Sequence, residues 1–232
     1  NITIDPVYDG DIIYPDGSLA QELEFAATFG GSVKLTDDVK LEVPLVVGAD
    51  MILDLNGHTI TGDWNKSKGA VIKNNANLTI ANGTVKSTGA NGGSAIANNG
   101  TLTADNVTLN GAPNEGSSWP AYTVNNTGTM TISNSNITSH HGAVCSYATD
   151  AVITMNNTNI EMSGIAGFTN HGIYTYDGGK VFVNGGNIAN NATDQNSTGG
   201  SVINGTVEVT AGNFTGRIEN YYGTPVLKGG NY

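Results

Sequence analysis

Apolar residues along this chain return in one short phrase: apolar, polar, apolar, a polar turn, then apolar again. Met51, Leu53 and Leu55 alternate in this way, ahead of a turn at Asn56-Gly57-His58-Thr59 and then Ile60. The phrase returns from Leu78 to Val85, from Leu102 to Leu109, from Met130 to Ile137, from Ile153 to Ile160, from Val181 to Ile188 and from Val207 to Phe214. A last copy runs from Leu227 to Tyr232. With Leu55 as the second apolar position of the first copy, that position steps through 55, 80, 104, 132, 155, 183, 209 and 227. A period of roughly 20–50 residues marks a solenoid, and the local period of two marks strands.

The turns follow their own rule. Two residues past the second apolar position stand Gly57, Asn82, Asn106, Asn134, Asn157, Gly185, Ala211 and Gly229. Gly and Asn tolerate the left-handed backbone region, so a positive φ is expected there. Ala211 breaks the rule, and a one-residue slip onto Gly212 would restore it. Two residues further on stand Thr59, Thr84, Thr108, Asn136, Asn159, Asn187, Asn213 and Asn231. Stacked coils would make these a Thr ladder continued by an Asn ladder, with amides bonding from coil to coil.

A further strand precedes each phrase, at Ala70–Ile72, Ala95–Ile96, Ala121–Val124, Ala143–Cys145, Ile173–Tyr176 and Val202–Ile203. The expectation is an all-β solenoid of about eight coils, three short strands to each, over residues 31–232. Ser18 followed by Gln21 is a capping-box pattern. Leu19, Leu23, Ala26 and Ala27 then fall at helical spacing, so residues 18–30 are read as a short helix plugging one end. Residues 1–17 carry Ile2, Ile4, Val7, Ile12, Ile13 and Tyr14, and form either an extra strand or an arm that docks on a partner.

The phrase and its period resemble the right-handed parallel β-helix of the pectin-lyase-like superfamily. The run Leu53 to Gly62, "LDLNGHTITG", also looks like a segment common in β-helix proteins of bacterial surfaces and bacteriophage particles. The resemblance implies one of two things: a rigid surface-displayed scaffold, or one of the superfamily's polysaccharide lyases or glycosidases. A carbohydrate-binding module on the same fold is a third reading.

Composition narrows the partners. The 232 residues include 32 glycines, and only 12% are charged. A net charge of −11 disfavours nucleic acid and anionic membrane surfaces. Cys145 is the sole cysteine, so no internal disulfide can form. No apolar run reaches the length of a membrane span. Sequons such as Asn82-Gly83-Thr84 fall on ladder positions, where a glycan would disrupt stacking. They are read as composition, which points to bacteria or their phages.

Catalytic candidates are few. The column between the two apolar positions reads Asp54, Thr79, Thr103, Thr131, Thr154, Phe182 and Glu208. Its two carboxylates stand six coils apart, about 29 Å at the strand spacing, whereas glycosidase pairs sit roughly 5–9.5 Å apart. The best remaining pair is Asp150 and Asp177, in matching turns of adjacent coils with Lys180 nearby. The single arginine, Arg217, lies too far along the chain to serve them as a lyase base. Asp37-Asp38 reads as a turn. His140 and His141 would point to opposite faces of a strand, and His58 and His171 stand alone, so neither a metal nor a cofactor is expected. The Thr column invites an ice-binding reading, but Phe182 and Glu208 interrupt it.

Aromatic residues mark the contact face. Insertions at 61–69, 110–120, 161–171 and 215–223 hold Trp64, Trp119, Phe168, Tyr221 and Tyr222. They follow alternate copies and would form a ladder along one edge, facing sugar rings or a protein subunit. Their alternative role is to seal their own loops. The expected function is non-enzymatic attachment on an extracellular surface. The setting would be a phage particle, as head fibre, decoration or tail component, or a bacterial cell surface as an adhesin. The expected partners are a virion or cell-surface protein and host polysaccharide, with homo-oligomerisation a further option.

Overall fold

The computed structural model describes residues 18–63, 69–89, 92–113, 122–163, 170–176, 178–190, 202–215, 218–219 and 224–232. The chain folds as an all-β parallel solenoid closed at one end by a helix. Helix α1, Leu19–Phe29, forms half of the expected capping box: the Ser18 Oγ accepts from the Gln21 N–H at 3.4 Å, but Gln21 Oε1 has no hydrogen-bond partner among the described residues. Leu23, Ala26 and Ala27 face the core. Gly30, at φ +87°, ends the helix, and the carbonyl of Ala27 accepts from the N–H groups of Gly48 and Ala49. The plug is thus joined to the first coil by backbone hydrogen bonds as well as by packing.

The strands follow in chain order. β1 (Gly31–Lys34), β2 (Val39–Leu41) and β3 (Leu45–Val47) lie under the helix. Then come β4 (Met51–Asp54), β5 (Thr59–Gly62), β6 (Ala70–Asn74), β7 (Asn77–Ser87), β8 (Ser94–Asn98), β9 (Thr101–Asn110) and β10 (Tyr122–Asn126). β11 (Thr129–Ser133), β12 (Asn136–Ser139), β13 (Gly142–Ser146), β14 (Val152–Asn156), β15 (Asn159–Met162), β16 (His171–Thr175) and β17 (Lys180–Asn190) continue the stack. β18 (Val202–Asn204), β19 (Thr206–Phe214), β20 (Ile218–Glu219) and β21 (Val226–Leu227) complete it. Every pairing is parallel, between equivalent strands of successive coils.

Three walls result. The first runs through β1, β4, the start of β7 and of β9, β11, β14, and the start of β17 and of β19. The second begins after the turn and includes β2, β5, β12 and β15, with the ends of the long strands β7, β9 and β17. The third is the eight-stranded sheet β3-β6-β8-β10-β13-β16-β18-β20. Leu53, Ile80, Ala104, Ile132, Met155, Val183 and Val209 stack inside the first wall, each almost fully buried. Each such aliphatic contributes about 1.5–3 kcal/mol on burial.

Two sequence expectations need correction. The stack has about six regular turns, not eight. The first six copies each supply strands of three residues or more on all three walls, whereas the seventh meets only the two-residue β20, and the eighth is the two-residue β21 with exposed Val226 and Leu227. The first copy is also in a different register: Leu53, not Leu55, stacks on Ile80. Six residue steps separate Leu53 from Thr59, but only four separate Ile80 from Thr84, although Thr59 and Thr84 pair. Leu55 is fully buried too, inside the longer first turn, so alternation alone could not tell the two apart.

The turn chemistry holds. Asn82, Asn106, Asn134 and Asn157 have φ between 47° and 59°, and Gly57 and Gly185 are also positive. The slip at Ala211 is present: a register shift pairs Asn184 with Ala211, and Gly212 takes φ +128°. The last copy slips likewise, with Gly230 rather than Gly229 at positive φ. The ladder forms as read. Asn159 Nδ2 donates to Asn136 Oδ1 at 3.0 Å, Asn187 N to Asn159 Oδ1 at 2.9 Å, Asn213 Nδ2 to Asn187 Oδ1 at 2.7 Å, and Asn231 Nδ2 to Asn213 Oδ1 at 2.6 Å.

Candidate functional site

The third wall concentrates the unusual chemistry. In β10, β13 and β16 the register aligns Val124, Val144 and Ile173 in the core, and Asn125, Cys145 and Tyr174 in the next column. Tyr122, Cys145 and Tyr174 form a cluster separate from the main core. His171, the first residue of β16, stacks on Tyr174 at 4.9 Å and 10°, and on Tyr122 at 6.1 Å and 21°. Tyr174 stacks on Tyr176 at 6.4 Å and 14°, while Tyr147 meets the Tyr122 ring edge-on at 86°. The Tyr122 hydroxyl and His171 Nδ1 share a 2.6 Å hydrogen bond.

Burial fixes the charge state of this cluster. It pulls the His171 imidazole down to about 4, and the nearby His141 adds to the effect. It pushes the Cys145 thiol up to about 12, against hydrogen bonds from Tyr147 and the Ser146 backbone. The phenols of Tyr122 and Tyr147 are also raised, chiefly by burial. At neutral pH all four groups are therefore uncharged. A protonated, buried thiol is not a nucleophile, and an imidazole titrating near 4 is not poised as a base at pH 7.

Beside the cluster lie two polar columns that differ by one residue. The inner column is Asn74, Asn98, Asn126, Ser146 and Thr175, all buried. Asn74 Nδ2 donates to Asn98 Oδ1, and Asn98 Nδ2 to Asn126 Oδ1, each at 2.7 Å. The same amides reach the carbonyls of Thr101, Gly100, Thr129, Gly128 and Val152 at the start of the first wall. At Gly100 and Gly128 this is a second bond, since those carbonyls also accept from the N–H groups of Thr129 and Val152. The outer column is Asn75, Asn99, Thr127, Tyr147 and Tyr176, all exposed. Asn99 Nδ2 donates to Asn75 Oδ1 at 2.8 Å, and Thr127 Oγ1 to Asn99 Oδ1 at 2.7 Å.

Two further surfaces are regular. On the first wall Ile52, Thr79, Thr103, Thr131, Thr154, Phe182 and Glu208 line up, and Thr101 and Thr129 pair in a column beside them. At the turn corner an open groove of about 410 Å³ is bordered by Asn159, Asn187, Asn213 and Asn231, with Gly185, Gly186 and Gly212.

Asp54, Glu208 and Asp38 each bond to neighbouring groups of the stack. The register correction removes Asp54 from the central column and puts Ile52 there. Asp54 accepts from the Asn56 N–H at 3.0 Å and Asn82 Nδ2 at 3.1 Å, with Lys34 at 3.5 Å. Partial burial would raise its carboxyl, but these bonds and the Lys34 charge outweigh it and hold the carboxyl below its usual value. Glu208 pairs with Lys228 at 2.7 Å. Asp38, between β1 and β2, accepts from the Thr59 N–H of the next coil at 2.8 Å, with His58 3.5 Å away.

Asp150 sits exposed in a turn closed by the Ala151 N–H donating to the Ala148 carbonyl, and the next coil repeats it from Gly179 to Tyr176. Val152 pairs with Lys180, so the register equivalent of Asp150 is Gly178. Asp177 and Arg217 lie outside the described residues, as do Trp64, Trp119, Phe168, Tyr221 and Tyr222. Among the described residues no three His, Cys, Asp or Glu side chains converge as metal ligands. His140 and His141 lie in the bend between β12 and β13 rather than in a strand. His171 does not stand alone, because it belongs to the aromatic cluster.

Sequence reading missed both the cluster and the inner ladder. The available signal was the paired polar residues Asn74-Asn75, Asn98-Asn99 and Asn126-Thr127, each four residues ahead of Leu78, Leu102 or Met130. One of each pair turns inward and the other outward. No protein-family profile, curated protein or solved structure matches this chain. No helix among the described residues is long and apolar enough to cross a membrane.

Proposed function

We propose that this protein is a non-enzymatic attachment scaffold displayed on an extracellular surface, either a phage particle or a bacterial cell, and that it engages surface glycans. In this reading it is a non-catalytic member of the pectin-lyase-like class. The observation that carries it is the set of exposed amide columns. Asn136 to Asn231 at one corner, and Asn75 to Thr127 at another, hold neutral donors and acceptors in fixed register, one per coil. A rod that presents the same group at every rung suits repeated, weak contacts with a repeating polymer.

Incubation with a panel of polysaccharides tests the proposal. Retention without product supports attachment. Release of reducing or unsaturated ends would replace it with the lyase or glycoside hydrolase reading, in which Asp150 and Asp177 are the first residues to substitute. The aromatic contact face proposed at Trp64, Trp119, Phe168, Tyr221 and Tyr222 has its own test. Trp64→Ala with Trp119→Ala should abolish attachment to host cells or particles and leave the melting temperature unchanged. A lowered melt with normal attachment would assign the tryptophans to holding their loops.

A further inference from the structure

We infer that the outer column of the third wall, Asn75-Asn99-Thr127-Tyr147-Tyr176, is the subsite for a neutral, linear glycan lying along the solenoid axis. This inference rests on the attachment reading and names its ligand class. The five side chains stand on consecutive coils, so the column extends about 19 Å at a strand spacing of about 4.8 Å.

Its two halves offer different chemistry. At one end the amides are fixed by their own ladder. Asn99 uses one Nδ2 hydrogen on Asn75 and its Oδ1 on Thr127, and its second N–H has no partner among the described residues. Asn75 has no acceptor for its Nδ2 hydrogens among the described residues. At the other end are two phenol rings, Tyr147 and Tyr176, 37% and 39% exposed. They cannot swing away freely, because Tyr147 is held by Tyr122 and Cys145, and Tyr176 by Tyr174. Fixed amides that bond hydroxyls, followed by fixed rings that take the apolar faces of a sugar, are the components of a carbohydrate site. Little ordering entropy remains to be lost on binding.

Charge selects the ligand class. The column, Asn75-Asn99-Thr127-Tyr147-Tyr176, contains no carboxylate, amine, guanidinium or imidazole. In the neighbouring column, from Val46 through Lys73, Ala97, Asn125 and Cys145 to Tyr174, Lys73 is the one cation. The chain bears a net charge of −11. A polyanionic glycan would meet repulsion without a cluster of cations to offset it.

Affinity electrophoresis of the full chain in gels containing a neutral β-glucan, a neutral mannan or polygalacturonate provides the test. The parent should be retarded by a neutral polymer and not by polygalacturonate. The double variant Tyr147→Ala with Tyr176→Ala should lose about ten-fold or more in affinity. The pair Asn75→Ala with Asn99→Ala, which leaves the cluster intact, should lose affinity without a change in melting temperature, so a folding defect in the tyrosine variant does not obscure the result. Asn187→Ala, in the groove at the turn corner, should lose less affinity than the Asn75/Asn99 pair. Retained affinity in the Asn75/Asn99 pair overturns the inference. So does loss confined to Asn187→Ala, or retardation by polygalacturonate alone, and each of these leaves attachment itself standing. No retardation in any gel overturns the inference and the attachment reading together.

Discussion

The solenoid carries asparagine-to-asparagine bonds in two settings, all between side chains except the Asn187 backbone N–H on Asn159 Oδ1. At the turn corner, Asn136, Asn159, Asn187, Asn213 and Asn231 bond to one another in the open, at 2.6–3.0 Å. At the third-wall corner, Asn74, Asn98 and Asn126 do so at 2.7 Å, buried. Length does not distinguish them. What differs is the alternative open to each group when a bond breaks. An exposed amide exchanges its neighbour for water, so its net contribution is small. A buried amide has no such exchange, and the full desolvation cost of the stranded groups appears. The exposed ladder keeps coils in register at little thermodynamic consequence. The buried ladder is an obligatory part of the fold.

The largest expected effect follows from that contrast. Asn98→Leu removes the central amide of the buried ladder, taking the Asn98 Oδ1 acceptor from Asn74 Nδ2 and the donor from Asn126 Oδ1. A loss of about 3–5 kcal/mol is expected in chemical denaturation. Asn187→Leu, at the middle of the exposed ladder, should cost under about 1 kcal/mol. Equal losses would show that burial does not govern the ladders.

The second effect extends the contrast to a titrating group. His171 is neutral and buried with a folded-state value near 4, against 6.5 for a free imidazole. The unfolded chain therefore takes up a proton at a higher pH than the folded one. Stability is fully present above about pH 6.5 and falls as the pH drops from 6.5 toward 4, by up to about 3 kcal/mol. His171→Phe should flatten that window in melts taken between pH 4 and 7. A slope that survives the substitution would assign it elsewhere.

A smaller change probes conformation. Asn134 sits at φ 49° and bonds Asp105 Oδ1 at 2.9 Å. Asn134→Leu should cost about 1–3 kcal/mol, from the left-handed backbone and the lost bond together. Asn134→Gly, which tolerates the backbone but lacks the amide, should recover most of it. If both melt like the parent, the turn contributes neither term.

The smallest effect lies where the buried ladder stops. Ser146 follows Asn126 in the inner column, and its Oγ is buried with no hydrogen-bond partner among the described residues. Ser146→Ala removes a polar atom that forms no bond there, so the midpoint should move by less than about 0.5 kcal/mol, or rise slightly. A clear loss would reveal a bond to this hydroxyl and extend the ladder by one coil.

These comparisons show where the sequence was readable. Period, turn asparagines, exposed ladder and helix were legible because each depends on local spacing: Asn134 to Asn136, or Ser18 to Gln21, repeats or signals on its own. The first register was not, because Leu53 and Leu55 are both apolar and both buried. The aromatic cluster was not, because Tyr122, Cys145, His171 and Tyr174 come from three coils whose separations vary. Nothing beside any one of them in sequence marks it out; only the pairing of the third wall does. The inner ladder was missed for the opposite reason. Asn-rich stretches are so frequent here that Asn74, Asn98 and Asn126 did not stand apart from their neighbours.

The parallel register of the coils has a consequence for how such a chain can change length over generations. Thr101 on one coil pairs with Thr129 on the next, residue for residue through Asp105 and Ser133. A deletion that joined Gly100 directly to Thr129 would remove one entire coil and set every later rung down on a matching neighbour. Deletion of Thr131 within β11 would instead make Met130 and Ile132 neighbours, so that one of the two inward-facing side chains turns outward. Inherited insertions and deletions should therefore be tolerated in whole coils and rejected in fractions of one, so that reach along the surface is adjusted in steps of about 4.8 Å.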